Sequence, residues 1–199
     1  KDENTTRMIS EKVIEGVVQE GKTSFIEQVK RSLDSRFGDA PEGKTWDDSY
    51  LVKTWDSAFN NFGDNPATGT DDEPVVETDF DLRVLKSEAL QVQTTDETVT
   101  RMISRKLING ADQGDSEVSF IQQEKRAGTD LYIDLDGTDD DVTLATALGL
   151  SGTIWDDIYL VNTWSGSFAG TLKSRAYQVQ TKDENTTRMI SEKVIEGVV

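Results

Sequence analysis

The stretch SFIEQVKRSLDSRFG, residues 24–38, decides how this chain is read. Phe25, Ile26, Val29, Leu33 and Phe37 recur at the spacing of one helical face, and the run stops at Gly38, a residue suited to ending a helix. Ser24 and Glu27 have the spacing of a capping box, and Ser119 with Gln122 repeat that box downstream. The spacing predicts a helix ending at Gly38. Upstream, KDENTTRMISEKVIEGVV (1–18) carries the apolar pairs Met8/Ile9, Val13/Ile14 and Val17/Val18, with Asp2, Glu3 and Asn4 where a helix start favours acids and a cap. It predicts a first helix.

The pattern changes further along. IWDDIYLVNTW (154–164) is rich in β-branched and aromatic residues, SGSFAG supplies turn residues, and LKSRAYQVQT (172–181) follows with near alternation. These segments predict an antiparallel hairpin. YLVKTW (50–55) and VLKSEALQVQT (84–94) predict another, joined by a long Gly/Asp/Pro loop over 60–80. The expected fold class is therefore α+β, with two helices packed on a β-hairpin in each of two modules.

The modules are visible as a repeat. TRMIS occurs at 6–10, 100–104 and 187–191, SFI at 24–26 and 119–121, and WDD at 46–48 and 155–157. LKS at 85–87 returns at 172–174, and QVQT at 91–94 returns at 178–181. Residues 1–94 form one module, 95–181 a diverged second, and 182–199 the first helix of a third. Residues 182–199 are identical to 1–18, whereas 95–112 has drifted. Perfect identity beside drift implies a larger unit of 181 residues repeated in a longer protein, or else a deliberate overlap of the two ends. A start at Lys1, with neither Met nor a signal peptide, reads as a fragment or a processed form.

Composition narrows the function. The chain has 199 residues, 38 acidic against 21 basic, for a net charge of −17. Such a surface repels phosphate backbones and anionic membranes, and suits divalent cations, basic proteins or a salty medium, extracellular or otherwise. No apolar run approaches the ~20 residues that span a bilayer. With no Cys and no His, thiolate chemistry, Cys-ligated zinc and Ser–His–Asp machinery are excluded. Any catalysis would rest on carboxylates, Lys, Tyr or Ser. The adjacent pairs Asp47/Asp48 and Asp156/Asp157 point to different sides of a strand, and TWDD (45–48) reads more simply as a cap.

The copies differ in their insertions, 60–81 in the first and 128–143 in the second. Leu144, Leu148 and Gly149 then resume the places of Leu33, Phe37 and Gly38. Within the second insertion DLDGTDDD (134–141) has alternate oxygen donors before a glycine, a calcium-like spacing. Asp134, Asp136 and Asp140 are the candidate calcium ligands. Tyr132 and Thr143 stand where two principal ligands belong, which favours a solvated acidic turn. Trp46, Trp55, Trp155 and Trp164 occupy equivalent positions in the two copies and read as packing or interface residues.

A structural protein follows from these features: a repeat unit that associates with copies of itself into a filament, sheet or shell, without catalysis. The alternative is a calcium-dependent binding module of a large extracellular adhesin, and the remote one a carboxylate-based enzyme.

Overall fold

The computed structural model describes residues 4–10, 13–14, 17–18, 24–56, 85–108, 111–112, 118–135, 139–152, 154–182 and 186–194. In chain order the elements are β1 (Thr5–Ser10), the short β2 (Val13–Ile14) and β3 (Val17–Val18), and β4 (Ser24–Arg31). A 3-10 turn follows at Ser35–Phe37, then β5 (Trp46–Asp56), β6 (Leu85–Thr94), β7 (Val99–Ile108), β8 (Ala111–Asp112) and β9 (Val118–Arg126). The second insertion contributes β10 (Leu131–Ile133) and β11 (Asp139–Thr143), and leads into α1 (Leu144–Ala147). The chain closes with β12 (Trp155–Ser165), β13 (Thr171–Thr181) and β14 (Thr187–Lys193).

One antiparallel sheet dominates, in the order β1-β4-β5-β6-β7-β9-β12-β13-β14, with β8 paired to the end of β7. It is a meander: among these nine strands, each one bonds the next along the chain. The expected α+β class is therefore overturned. The described residues of the first segment predicted as a helix form strands, the second is strand β4 followed by the 3-10 turn, and the third TRMIS segment is strand β14. The helical segments among the described residues are the three-residue turn and the four-residue α1.

The reason lies in the arithmetic of spacing. Apolar residues four apart share a helix face, but four is also even, so Phe25 and Val29 share a strand face equally well. The polar residues of this strand, damaging to a lone strand, are answered by neighbours. Glu27 stands opposite Lys53, and Lys30 bonds Asp48 at 2.5 Å. Thr5 and Thr6 add β-branched side chains, which favour the pleated backbone. The supposed capping box is a pair of ladder positions: Ser24 lies between Ser10 and Asp56, and Ser119 between Ser104 and Ser165.

The hairpin expected from 154–181 is present, with Tyr159 opposite Gln178 and Trp164 opposite Leu172. Its turn depends on Gly170, where an added Cβ would sit 2.1 Å from the Ser165 carbonyl oxygen. The first copy pairs in the same register, Tyr50 opposite Gln91 and Trp55 opposite Leu85. Even the irregularities coincide. Register shifts fall between Trp46 and Ser49 and between Thr54 and Trp55 in one copy, and at Trp155/Ile158 and Thr163/Trp164 in the other. A one-residue slip would invert every side chain, so this agreement fixes the same face inward in both modules.

That face carries two cores. Phe37, on the 3-10 turn, is fully buried against Val92, Ile103, Val118 and Phe120. Leu144 and Leu148, from α1 and its end, cover Ile158, Tyr177 and Val179. Leu33, expected to match Leu144, is instead 48% exposed. Thr143 caps α1 by accepting from the Thr146 amide, at 3.4 Å. Among the described residues nothing covers the opposite face in this way, and Met8 and Met189 stand exposed on it at 52% and 59%.

Candidate functional site: the junctions between modules

The first strand of each module also completes the module before it. β7 closes the first module through β6, and β14 closes the second through β13. The same arginine of TRMIS makes the closure in both cases. Arg101 Nη1 donates to the carbonyls of Phe37 and, at 3.1 Å, Asp39. Arg188 Nη1 donates to the carbonyls of Leu148, at 3.1 Å, and Gly149. Each cation thus satisfies carbonyls that a short helical turn leaves unpaired at its end.

Gly38 and Gly149 both hold φ at +66°, the left-handed region in which a side chain is strained. A Cβ at Gly149 would also lie 3.1 Å from Arg188 Nη1. Each guanidinium lies over a tryptophan, Arg101 at 5.2 Å from the Trp46 ring centre and Arg188 at 4.6 Å from Trp155. Phe168, from the β12–β13 turn, closes over Arg101 at 4.9 Å. Burial lowers the Arg101 pKa, yet a guanidinium remains charged at neutral pH. Its Nε donates to Gln122 at 2.9 Å.

Of the four tryptophans singled out in the sequence, Trp46, Trp155 and Trp164 pack against the two cores. Trp46 donates from Nε1 to the Gly38 carbonyl at 3.0 Å, whereas Trp155 Nε1 is buried with no hydrogen-bond partner among the described residues. Trp164 meets Phe168 edge-on at 6.2 Å. Trp55 stands between Phe25 and Leu85 in the ladder.

The junctions differ beside the arginine. At the second, the β10–β11 hairpin lies over the sheet and is tied down by polar contacts. Glu192 on β14 accepts from the Tyr132 hydroxyl and, at 2.6 Å, from the Leu135 amide. Arg175 on β13 donates to the Asp134 carbonyl and from Nε to Asn162 at 3.1 Å. The Tyr177 hydroxyl donates to the Ile133 carbonyl at 3.2 Å, and burial pushes its pKa up, so it remains a donor. At the first junction the described residues leave a cleft of about 160 Å³ at the equivalent place, among Leu51, Leu90, Ile103, Arg105 and Val118.

Lys30 bonds Asp48 at 2.5 Å and Lys125 bonds Asp157 at 2.6 Å, the same ion pair in the two copies. Each raises the pKa of its lysine. Asp96 organises the β6–β7 turn, accepting from Lys44 at 2.6 Å, Thr94 at 2.6 Å and Thr98 at 2.7 Å. Lys44 first, then the two hydroxyls, hold its carboxyl well below the usual carboxylate range. Of the candidate calcium ligands, Asp134 uses its carbonyl to anchor Arg175, while Asp136 and the Asp140 side chain lie outside the described residues. Among the described residues no three acidic side chains converge as a metal site would require.

Compared with protein families, curated proteins and solved structures, the chain matches none of them. The junction is thus read from its own geometry. Sequence reasoning missed Arg101, Arg188 and Glu192. The arginine carried a signal, its presence in all three TRMIS copies, but its role needs the turn it caps, which lies more than sixty residues upstream of Arg101.

Proposed function

We propose that the chain is a non-catalytic structural repeat unit of an extended β-sheet array, in which the first strand of each unit completes the last module of the unit before it. One observation carries this reading: the two junctions share a register residue for residue. Gln91 opposes Met102 at one, Gln178 opposes Met189 at the other, and an arginine clasps the preceding turn at both. A joint used twice within a chain is a joint that can be used again. Head-to-tail contacts of this kind propagate without closing unless curvature returns the sheet on itself.

The extent of the joint supports an array over an adhesin. Seven ladder pairs and a shared apolar core link adjacent modules, whereas strung binding modules meet through small interfaces. Sedimentation velocity and electron microscopy over rising concentration, with calcium and with chelator, test the reading. Elongated particles that grow with concentration are expected. A chain that stays monomeric throughout overturns it.

A further inference from the structure

The two copies differ unevenly across the sheet. Starting from Ile26, Tyr50, Ser87 and Thr100, alternate residues of β4, β5, β6 and β7 point away from the cores. Over 26–30, 50–54, 87–93 and 100–106 every one of them recurs unchanged at 121–125, 159–163, 174–180 and 187–193. The differences within these ranges fall on the core side, where Glu27 is matched by Gln122, Lys53 by Asn162 and Leu90 by Tyr177. Stability alone predicts the reverse, since a changed volume costs most in a core and surface substitutions cost little. Polar and aromatic residues held constant outside the cores point to a bound ligand.

Part of this face is concave. Gln123, Asp156, Tyr159, Gln178, Gln180 and Thr187 line a cleft of about 350 Å³, a size suited to a small ligand. The first copy repeats the set in the same register. Tyr50 opposes Gln91 as Tyr159 opposes Gln178, and Gln93 opposes Thr100 as Gln180 opposes Thr187. Among the described residues no lysine or arginine lines the cleft, so an anionic ligand gains nothing there. Asp157, also in the lining, bonds Lys125 at 2.6 Å, which leaves Asp156 and too few acids to hold a divalent cation. What remains is neutral hydrogen bonding. Each carboxamide both donates and accepts, Asp156 and Thr187 accept from hydroxyls, and Tyr159 adds aromatic surface. That set matches neighbouring hydroxyls beside an apolar C–H face, the chemistry of a sugar ring.

We propose that this face binds a neutral glycan chain at one site per module. Gln123, Asp156, Tyr159 and Gln178 contact it in the second module, and Gln28, Asp47, Tyr50 and Gln91 in the first. The sheet order sets β5 and β12 four strands apart, about 19 Å at the usual strand spacing. A polymer can therefore engage both sites at once, and its second contact is strengthened by the first. A second copy packed face to face fits less well, because it would bury the carboxamides without hydroxyls to answer them. The proposal goes beyond the array reading and does not depend on it, since a single chain carries both sites.

Affinity electrophoresis of the full chain tests this, in gels containing dextran, galactomannan, hydroxyethyl cellulose or the polyanion alginate. Retardation is expected in at least one of the neutral polysaccharides and not in alginate. Tyr159→Ala with Gln178→Ala removes one site and should raise the apparent Kd about tenfold or more, because the chain then binds through one site alone. Adding Tyr50→Ala and Gln91→Ala should abolish retardation. Should the tyrosine variants fail to fold by circular dichroism, Gln123→Ala with Gln178→Ala should show the one-site loss. Retardation in no gel, retardation in alginate alone, or folded variants retarded like the unaltered chain overturns the assignment. So does a loss of self-association by the fourfold variant in sedimentation without polysaccharide, which would give the face to a second copy. The edge-to-edge joint does not use this face, so the array reading stands or falls separately, on sedimentation of the unaltered chain.

Discussion

The two junctions have one register and two ways of filling the space beside it. The first uses a 3-10 turn, one buried phenylalanine and an arginine held between Trp46 and Phe168, and leaves a cleft next to Arg105. The second uses α1, two leucines and an arginine over Trp155, and lays the β10–β11 hairpin across Glu192. The ladder tolerates this difference because main-chain pairing is indifferent to what covers the face. The insertion could therefore change while the joint stayed constant.

The comparison is tested most severely in the cores. Phe37→Ala should cost about 3–5 kcal/mol and Leu148→Ala about 2–5 kcal/mol in urea unfolding followed by tryptophan fluorescence. A loss under about 1 kcal/mol for Leu148→Ala would mean that the hairpin, and not the α1 turn, holds the second core. Next come the arginines. Arg101→Lys and Arg188→Lys should each lose about 1–2 kcal/mol, because an ammonium cannot stack flat on indole and reach two carbonyls together. Unequal losses would show that Phe168 adds to the clasp at the first junction alone.

Smaller effects separate the charge pairs. Glu192→Gln should cost about 1 kcal/mol and speed amide exchange at Leu135, while Arg105→Gln at the open cleft should stay within about 0.5 kcal/mol. Equal effects would erase the distinction between a covered and an open junction. The smallest concerns the β6–β7 turn. Asp96 has a folded pKa below its unfolded value, so its contribution is present above about pH 4 and fades as pH falls through the lowered value. Asp96→Asn should therefore lower the denaturation midpoint at pH 7 and make no difference at the most acidic pH at which the chain stays folded. A midpoint unchanged at pH 7 would mean that the turn holds without its carboxylate.

Much of the organisation was legible in the letters. The repeat, the equivalent tryptophans and the 154–181 hairpin all stand in the sequence, because β-branched residues around a Gly/Ser turn admit few other structures. The match of Leu148 and Gly149 to Phe37 and Gly38 was legible too, and the arginine of each junction reaches the turn that carries them. The first two strands of each module were not. Phe25 and Val29 satisfy both periods, and only β1 and β5 on either side decide between them.

The junction shows the same limit. Arg101 looks like any charged residue in TRMIS until Phe37 and Asp39 present their carbonyls to it. Glu88 comes opposite Arg105, and Arg175 opposite Glu192 with the charges reversed, only once the ladder sets them there. The sequence by itself determined the recurrence of its segments and where the 154–181 hairpin turns, since these depend on local letters and their repetition. Tertiary structure alone decided strand over helix, the shared face and the charge reversal across the joints. Each of those depends on what stands across a hydrogen-bonded ladder, and no local spacing records a neighbour brought there by the rest of the chain.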